Sequence, residues 1–286
     1  MAEKIWFITG ASRGFGHIWT EAALARGDKV AATARNTATL DDLCERFGGN
    51  ILPLALDVTD HDAVMSTVNE AHRRFGRLDV VLTNAGDKAF SAGMDLKAFA
   101  SGQGNGILAG KHGFAGIAHR AIPKPIIAAV NGVALAGGFE IVLSCDLVVA
   151  VEHASFGIPE VKRGLLAAGG GLIRLPKRLP LAIALELALT GDPIDAQRAF
   201  ELGLVNQVVP AAELLDAALA LAERITPNSP LAVRRSKAVM VAAAQVSEEA
   251  GWEISQEATR IVFGGPDAQE GATAFAEKRP PNWQVE

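Results

Sequence analysis

An unbroken apolar run, Ile5-Trp-Phe-Ile-Thr9, leads directly into Gly10-Ala-Ser-Arg-Gly14-Phe-Gly16 and then into a helical pattern through Ala25. A strand without polar alternation is buried on both faces, as in a parallel sheet. The glycines permit a tight turn. The helix behind them offers unpaired N–H groups and the positive end of its dipole, which suits a pyrophosphate. Further apolar runs follow at 30–34, 51–56 and 78–83, with helical stretches between them, notably 63–75. Alternating strands and helices predict a parallel sheet with right-handed crossovers.

Composition narrows the class. The 286 residues are 49% hydrophobic and 21% charged, enough for a sizeable core and too apolar for a disordered chain. The net charge of −5 comes without a basic tail or patch, so neither nucleic acid nor an anionic membrane is an expected partner. The longest apolar region, 132–151, is broken by Glu140 and Asp146, which argues against a membrane span. Met-Ala-Glu-Lys runs straight into the first strand, so no signal peptide and a cytoplasmic location are expected. Cys44 and Cys145 lie far apart and read as buried free thiols of a reducing compartment. The six histidines show no ligand spacing, so no metal site is expected.

Three motifs in order, Thr9-Gly10 with Gly14 and Gly16, Leu56-Asp57-Val58 and Asn84-Ala85-Gly86, make residues 1–86 resemble the N-terminal half of a short-chain dehydrogenase/reductase. The resemblance implies that Gly10, Gly14 and Gly16 hold a cofactor pyrophosphate, that Asp57 contacts adenine and that Asn84 belongs to the same vestigial cofactor site. Arg35 stands where an acidic residue would favour NAD, so Arg13 and Arg35 would favour NADP; both also read as ordinary solvated arginines. That family reduces carbonyls with a tyrosine, and this chain contains no tyrosine. Reductase chemistry is therefore excluded, and NADP binding is doubtful because the later strands of the site are missing.

The rest of the chain carries another chemistry. Apolar residues 125–131 read as a strand, and Gly137-Gly138 then opens a helical run over 139–145. Glycines there let a backbone approach a ligand and leave N–H groups pointing outward. Glu140 falls one turn into that helix on an apolar stretch, and Glu160 follows Pro159 in another. Carboxylates are rarely buried without a partner or a function. Two in one pocket push their proton affinities apart, giving one base and one acid near neutral pH. The bland alternatives are a helix-start glutamate for Glu140 and a surface ion pair for Glu160.

Phe90-Ser-Ala-Gly-Met-Asp-Leu96, the 126–140 stretch, Cys145-Asp146, Phe156-Gly-Ile-Pro-Glu160 with Gly164, the triple glycine 169–171 and the 189–206 segment together resemble the enoyl-CoA hydratase (crotonase) superfamily over 87–286. The resemblance implies an acyl-CoA hydratase/dehydratase that adds or removes water across the 2,3 double bond of a thioester. Glu140 and Glu160 would be its acid/base pair. The backbone N–H groups of Met94 and Gly137 would form the oxyanion hole, with Ala92, Asp95, Gly138, Phe263 and Lys278 about the acyl-CoA. Coenzyme A is expected as part of the substrate, with no required cofactor. A homo-oligomer, trimeric or hexameric, is implied as well. The runs 136–140 and 172–180 look closer to carnitinyl-CoA-dehydratase-like members.

The expected architecture is therefore α/β: a truncated Rossmann-like βαβ unit over 1–86, then a crotonase-like spiral core over about 87–210 and a helical region over about 211–286. The crotonase N-terminus is replaced, and Leu78 to Gly86 serves as a strand of either family. Helices at 211–224 and 230–246 carry apolar residues at helix spacing, expected in core and subunit interface. Alternatives from another class are a catalytically impaired chimera and an NADP-binding module without reductase activity.

Overall fold

The computed structural model describes residues 3–58, 61–76, 78, 80–82, 89–93, 113–119 and 121–284. The chain divides into two compact units, Met1–Phe90 and Ser91–Glu286.

In the first unit, strands β1 (Ile5–Ile8), β2 (Lys29–Ala34), β3 (Ile51–Ala55) and β4 (Val80–Leu82) form one sheet in the order β3-β2-β1-β4. Its three pairings are parallel. The helices Gly14–Ala25, Asp41–Phe47 and His61–Phe75 make the crossovers. The chain winds outward from β1 to β3 and then returns to the opposite side of β1, so the winding reverses beside the end of β1. The continuous apolar runs are buried as a parallel sheet requires: Ile5, Trp6, Phe7 and Ile8 are all buried. Phe7, Ala31, Leu54, Leu56 and Ala71 form the core, with Val64, Val68 and Phe75 of the third helix packed on it. Amphipathic spacing of those side chains on a helix is what closes the sheet face.

Asp28, buried at the start of β2, accepts hydrogen bonds from the backbone N–H of Lys4 at 3.0 Å, Trp6 Nε1 at 2.9 Å and Arg26 Nη2 at 2.7 Å. Burial alone would raise its carboxyl, but these donors and the Arg26 charge outweigh it and hold the group below the usual Asp value. Asp28→Asn is expected to cost about 2 kcal/mol at neutral pH, because it removes the charge that three donors serve, one of them buried. A lowered carboxyl stabilises above its unfolded value and loses that contribution as pH falls through its folded value. The gap between parent and variant in urea unfolding should therefore close in acid; a gap that is absent at pH 7, or equal at all pH, contradicts the assignment.

The second unit is built on two small sheets. One has the order β10-β9-β7-β5, from β5 (Ala89–Ser91), β7 (Val133–Leu135), β9 (Ser155–Gly157) and β10 (Ile194–Asp195). The other has the order β11-β8-β6, from β6 (Ile127–Val130), β8 (Leu147–Val151) and β11 (Gln207–Val209). β6 pairs with β8 and β7 with β9, both parallel. The chain thus lays one strand in each sheet, returns by a helix and repeats one layer further on. This is the spiral α/β core that the resemblance implies. Val148, Val149, Ala150, Val151, Phe139 and Phe156 fill its centre, with the last two rings 5.6 Å apart. The helices Leu214–Glu223, Pro230–Ala243, Glu248–Phe263 and Pro266–Glu277 complete the unit.

Some boundaries and burials differ from expectation. The helix expected from 139 begins at Gly137, because the glycine pair supplies its first turn. The helix expected from 211 begins with a 3₁₀ turn, Ala211–Glu213, and the one expected to reach 246 ends at Ala243. The helix Pro230–Ala243 buries none of its residues, so its apolar stripe lies outside the core of this chain. Helical periodicity marks an apolar face without saying what covers it. Cys145 is buried as expected, whereas Cys44 is only half-buried.

Candidate active site

Glu140 lies on the helix Gly137–Ser144, and its side chain is only 3% exposed. Its Oε1 accepts a hydrogen bond from the Gly171 N–H at 2.8 Å, and the Gly169 backbone also donates to the carboxylate. The triple glycine is a cradle for this group. A Cβ added at Gly169 would lie 2.5 Å from Oε2, and one at Gly171 would lie 3.1 Å from Oε1. No larger residue fits there without displacing the carboxylate.

Burial raises the Glu140 carboxyl above the ordinary glutamate value, and the Gly171 and Gly169 donors with the charge of Arg174 oppose that rise. Glu160 lies on the 3₁₀ turn Pro159–Arg163, with its Oε2 buried and without a hydrogen-bond partner among the described residues. Burial raises its carboxyl too. A backbone N–H lowers it, and the charge of Glu140 pushes it up again. The surroundings of the two carboxylates differ. One has two donors and a cation; the other has an orphaned oxygen.

Gly137 and Gly138 open the helix beneath this pair. Ala136, before them, takes φ 51° and ψ −128°, a conformation that favours glycine. It turns the chain out of β7 so that the Gly137 N–H faces the backbone at Gly93. A Cβ on Gly93 would sit 2.7 Å from that nitrogen. The first N–H groups of a helix have no partner within it, so this one is available to an oxygen placed between the two segments. Gly138 lies so close to Ser91 that an added Cβ would overlap the Ser91 carbonyl. The ring of Phe114 stands beside both Gly137 and Gly169 and closes this side of the site.

The other expected residues fall as follows. Met94, Asp95 and Asn84 lie outside the described residues. Ala92 is exposed beside Ser91, and Gly138 is buried under it. Phe263 ends the helix Glu248–Phe263 with 76% of its surface exposed, and Lys278 caps the helix Pro266–Glu277 in a left-handed conformation, φ 55°. Both stand exposed, without a bond to either glutamate. In the first unit Gly10 and Gly14 take positive φ, 64° and 57°, so the glycine turn forms as expected. Gly16 sits in the first turn of the helix behind it, Arg13 is the extended residue before that helix, and Arg13, Arg35 and Asp57 are exposed. Sequence reading assigned no role to Phe114 or Arg174 and did not connect the triple glycine with Glu140. A run of three glycines opposite a buried carboxylate was the one available signal. Among the described residues no cluster of His, Cys, Asp and Glu could hold a metal ion.

Residues 68–286 match the family described as enoyl-CoA hydratase/isomerase. The chain belongs to this family. Residues 4–101 also match the short chain dehydrogenase family, so 68–101 match both. The enoyl-CoA hydratase/isomerase match begins well before residue 87. The overlap takes in the second half of the helix His61–Phe75 and β4. A carnitinyl-CoA dehydratase of Proteus mirabilis is 39% identical over 249 residues, covering 82% of this chain and 95% of the relative. The solved enoyl-CoA hydratase of Mycobacterium tuberculosis H37Rv is 49% identical, with a TM-score of 0.69 over 78% of this chain and 88% of that one. A solved carnitinyl-CoA hydratase of Mycobacterium avium is 48% identical, with a TM-score of 0.55 over 78% and 87%.

Proposed function

We propose that this member of the enoyl-CoA hydratase/isomerase family is an acyl-CoA hydratase/dehydratase in which Glu140 is the base and Glu160 the acid. The observation that carries the reading is the unequal pair of carboxylates, Glu140 buried and Glu160 half-buried with one oxygen enclosed. Glu140 keeps two backbone donors and faces Arg174, an environment for the anion. Glu160 has an unpartnered buried oxygen and feels the charge of Glu140, an environment for the acid. In hydration, Glu140 takes a proton from water as its oxygen bonds to the β-carbon. The thioester carbonyl gains charge as an enolate, held by the Gly137 N–H and, from its place in the family motif, the Met94 N–H. Glu160 then gives its proton to the α-carbon, and the reverse sequence removes water. One oxyanion donor of this kind is worth on the order of 10²–10³ in rate.

The named relatives support a substrate near carnitinyl-CoA. Comparing kcat/KM for dehydration of carnitinyl-CoA with that for hydration of a short unbranched enoyl-CoA tests the reading. Turnover of at least one is expected, with preference for the carnitinyl thioester; turnover of neither defeats the function.

The first unit fits only part of a dinucleotide site. Its glycine turn is formed, but among the described residues its sheet has four strands, and a doubly wound fold continues on the far side of β4. Calorimetric titration with NADPH is expected to show weak binding or none. A tight, stoichiometric complex would revive a nucleotide role for this unit. A homo-oligomer also belongs to the proposed reading. Met240, Trp252, Phe263 and Phe275 are each more than 60% exposed on the C-terminal helices, an apolar surface that association would bury.

A further inference from the structure

Arg174 stands on the helix Gly171–Arg178, one turn after the residue that donates to Glu140. Its guanidinium makes two bonds to main chain. Nη1 donates to the Gly169 carbonyl at 3.4 Å, and Nη2 donates to the Ala118 carbonyl. The Ala118 N–H in turn donates to the Phe114 carbonyl at 3.1 Å. The same guanidinium lies against Gly170, where an added Cβ would collide with it. One side chain therefore ties together the glycine turn that cradles Glu140 and the segment that carries the Phe114 ring. A planar fork with fixed donors suits that task better than a flexible ammonium.

We propose that Arg174 is a positioning residue for Glu140: it fixes the 169–171 turn and the Phe114 segment around the carboxylate and sets a permanent positive charge beside it. The proposal rests on the reading of Glu140 as the base, and it deepens that reading. The titratable groups facing Glu140 are Arg174 from the helix Gly171–Arg178 and Glu160, its proposed acid partner, from the Pro159–Arg163 turn. Removing Arg174 takes a cation from beside the carboxylate and leaves it buried with only its backbone donors. The Glu140 carboxyl should then hold its proton to higher pH, because the anion loses its opposite charge. The acid limb of the rate profile moves the same way.

The test uses the full chain and its Arg174→Met and Arg174→Lys variants, each checked for fold by circular dichroism. Carbon-13 labelled glutamate reports the Glu140 carboxyl titration directly, with the signal assigned by its loss in Glu140→Gln. The Met variant is expected to titrate at higher pH than the parent, and the Lys variant to return most of the way. In enoyl-CoA hydration, kcat of the Met variant should fall by about tenfold at the acid end of the profile and by less than about threefold at the alkaline end. A folded Met variant with an unmoved Glu140 titration overturns the proposal. So does loss of fold in both variants, which makes Arg174 a residue of the fold alone. A moved titration in a chain whose parent hydrates no acyl-CoA leaves the role of Arg174 standing and removes the proposed activity instead.

Discussion

Glu140→Gln and Glu160→Gln are each expected to lower kcat by a factor on the order of 10²–10⁴, with acyl-CoA binding retained. The amide keeps the volume of the carboxylate and loses its proton chemistry. At position 140 it loses something further. Gly171 and Gly169 both donate to the carboxylate, and an amide offers an oxygen to only one of them. Glu140→Gln should therefore be the more severe of the two. Calorimetry with a non-reactive acyl-CoA separates binding from chemistry; parent-level turnover in both variants removes these residues from the mechanism. Stability moves the other way. Both carboxyls are raised in the folded chain, chiefly by burial. A raised carboxyl stabilises fully below its unfolded value and loses that contribution as pH rises through its folded value. Glu160→Gln should thus melt above the parent at neutral and alkaline pH, and the difference should vanish in acid.

Gly138→Ala is expected to cost about 3 kcal/mol or more and to remove activity with it, because the new methyl meets a carbonyl with no flexible neighbour to yield. Gly138 lies in the first turn of a helix, and Ser91 ends β5, so the collision sets two main-chain segments against each other. Gly49→Ala is the matched control: its Cβ would meet nothing within 4 Å, and its φ does not require glycine. Thermal unfolding of the two variants beside the parent decides the matter. A Gly138→Ala chain as stable as Gly49→Ala contradicts the close approach.

Much of this was legible in the sequence because burial on both faces leaves an unmistakable mark. The runs that became β1, β2 and β3 were readable to within a residue or two at each end. Glu140 and Glu160 were readable because a carboxylate on an apolar stretch needs a reason to be there. The cradle was not readable in the same way. Gly169 and Gly171 face Glu140 across a separation in sequence of some thirty positions, and nothing local to a glycine tells which side chain it must avoid. Arg174 was hidden by its ordinariness, since an arginine in a helix usually faces water and here it bonds to two carbonyls. The stripe over 230–246 was legible as an apolar face, but not as to what covers it. Apolar spacing looks the same whether the chain's own core or another surface covers it.

Water addition to a short 2-enoyl-CoA thioester, followed as the loss of its conjugated absorbance with purified parent chain and Glu140→Gln side by side, tests the central claim most directly. The parent is expected to turn over and the variant to be slower by a factor on the order of 10²–10⁴. A parent that binds the thioester and leaves it unchanged, or a variant that matches the parent, would contradict it.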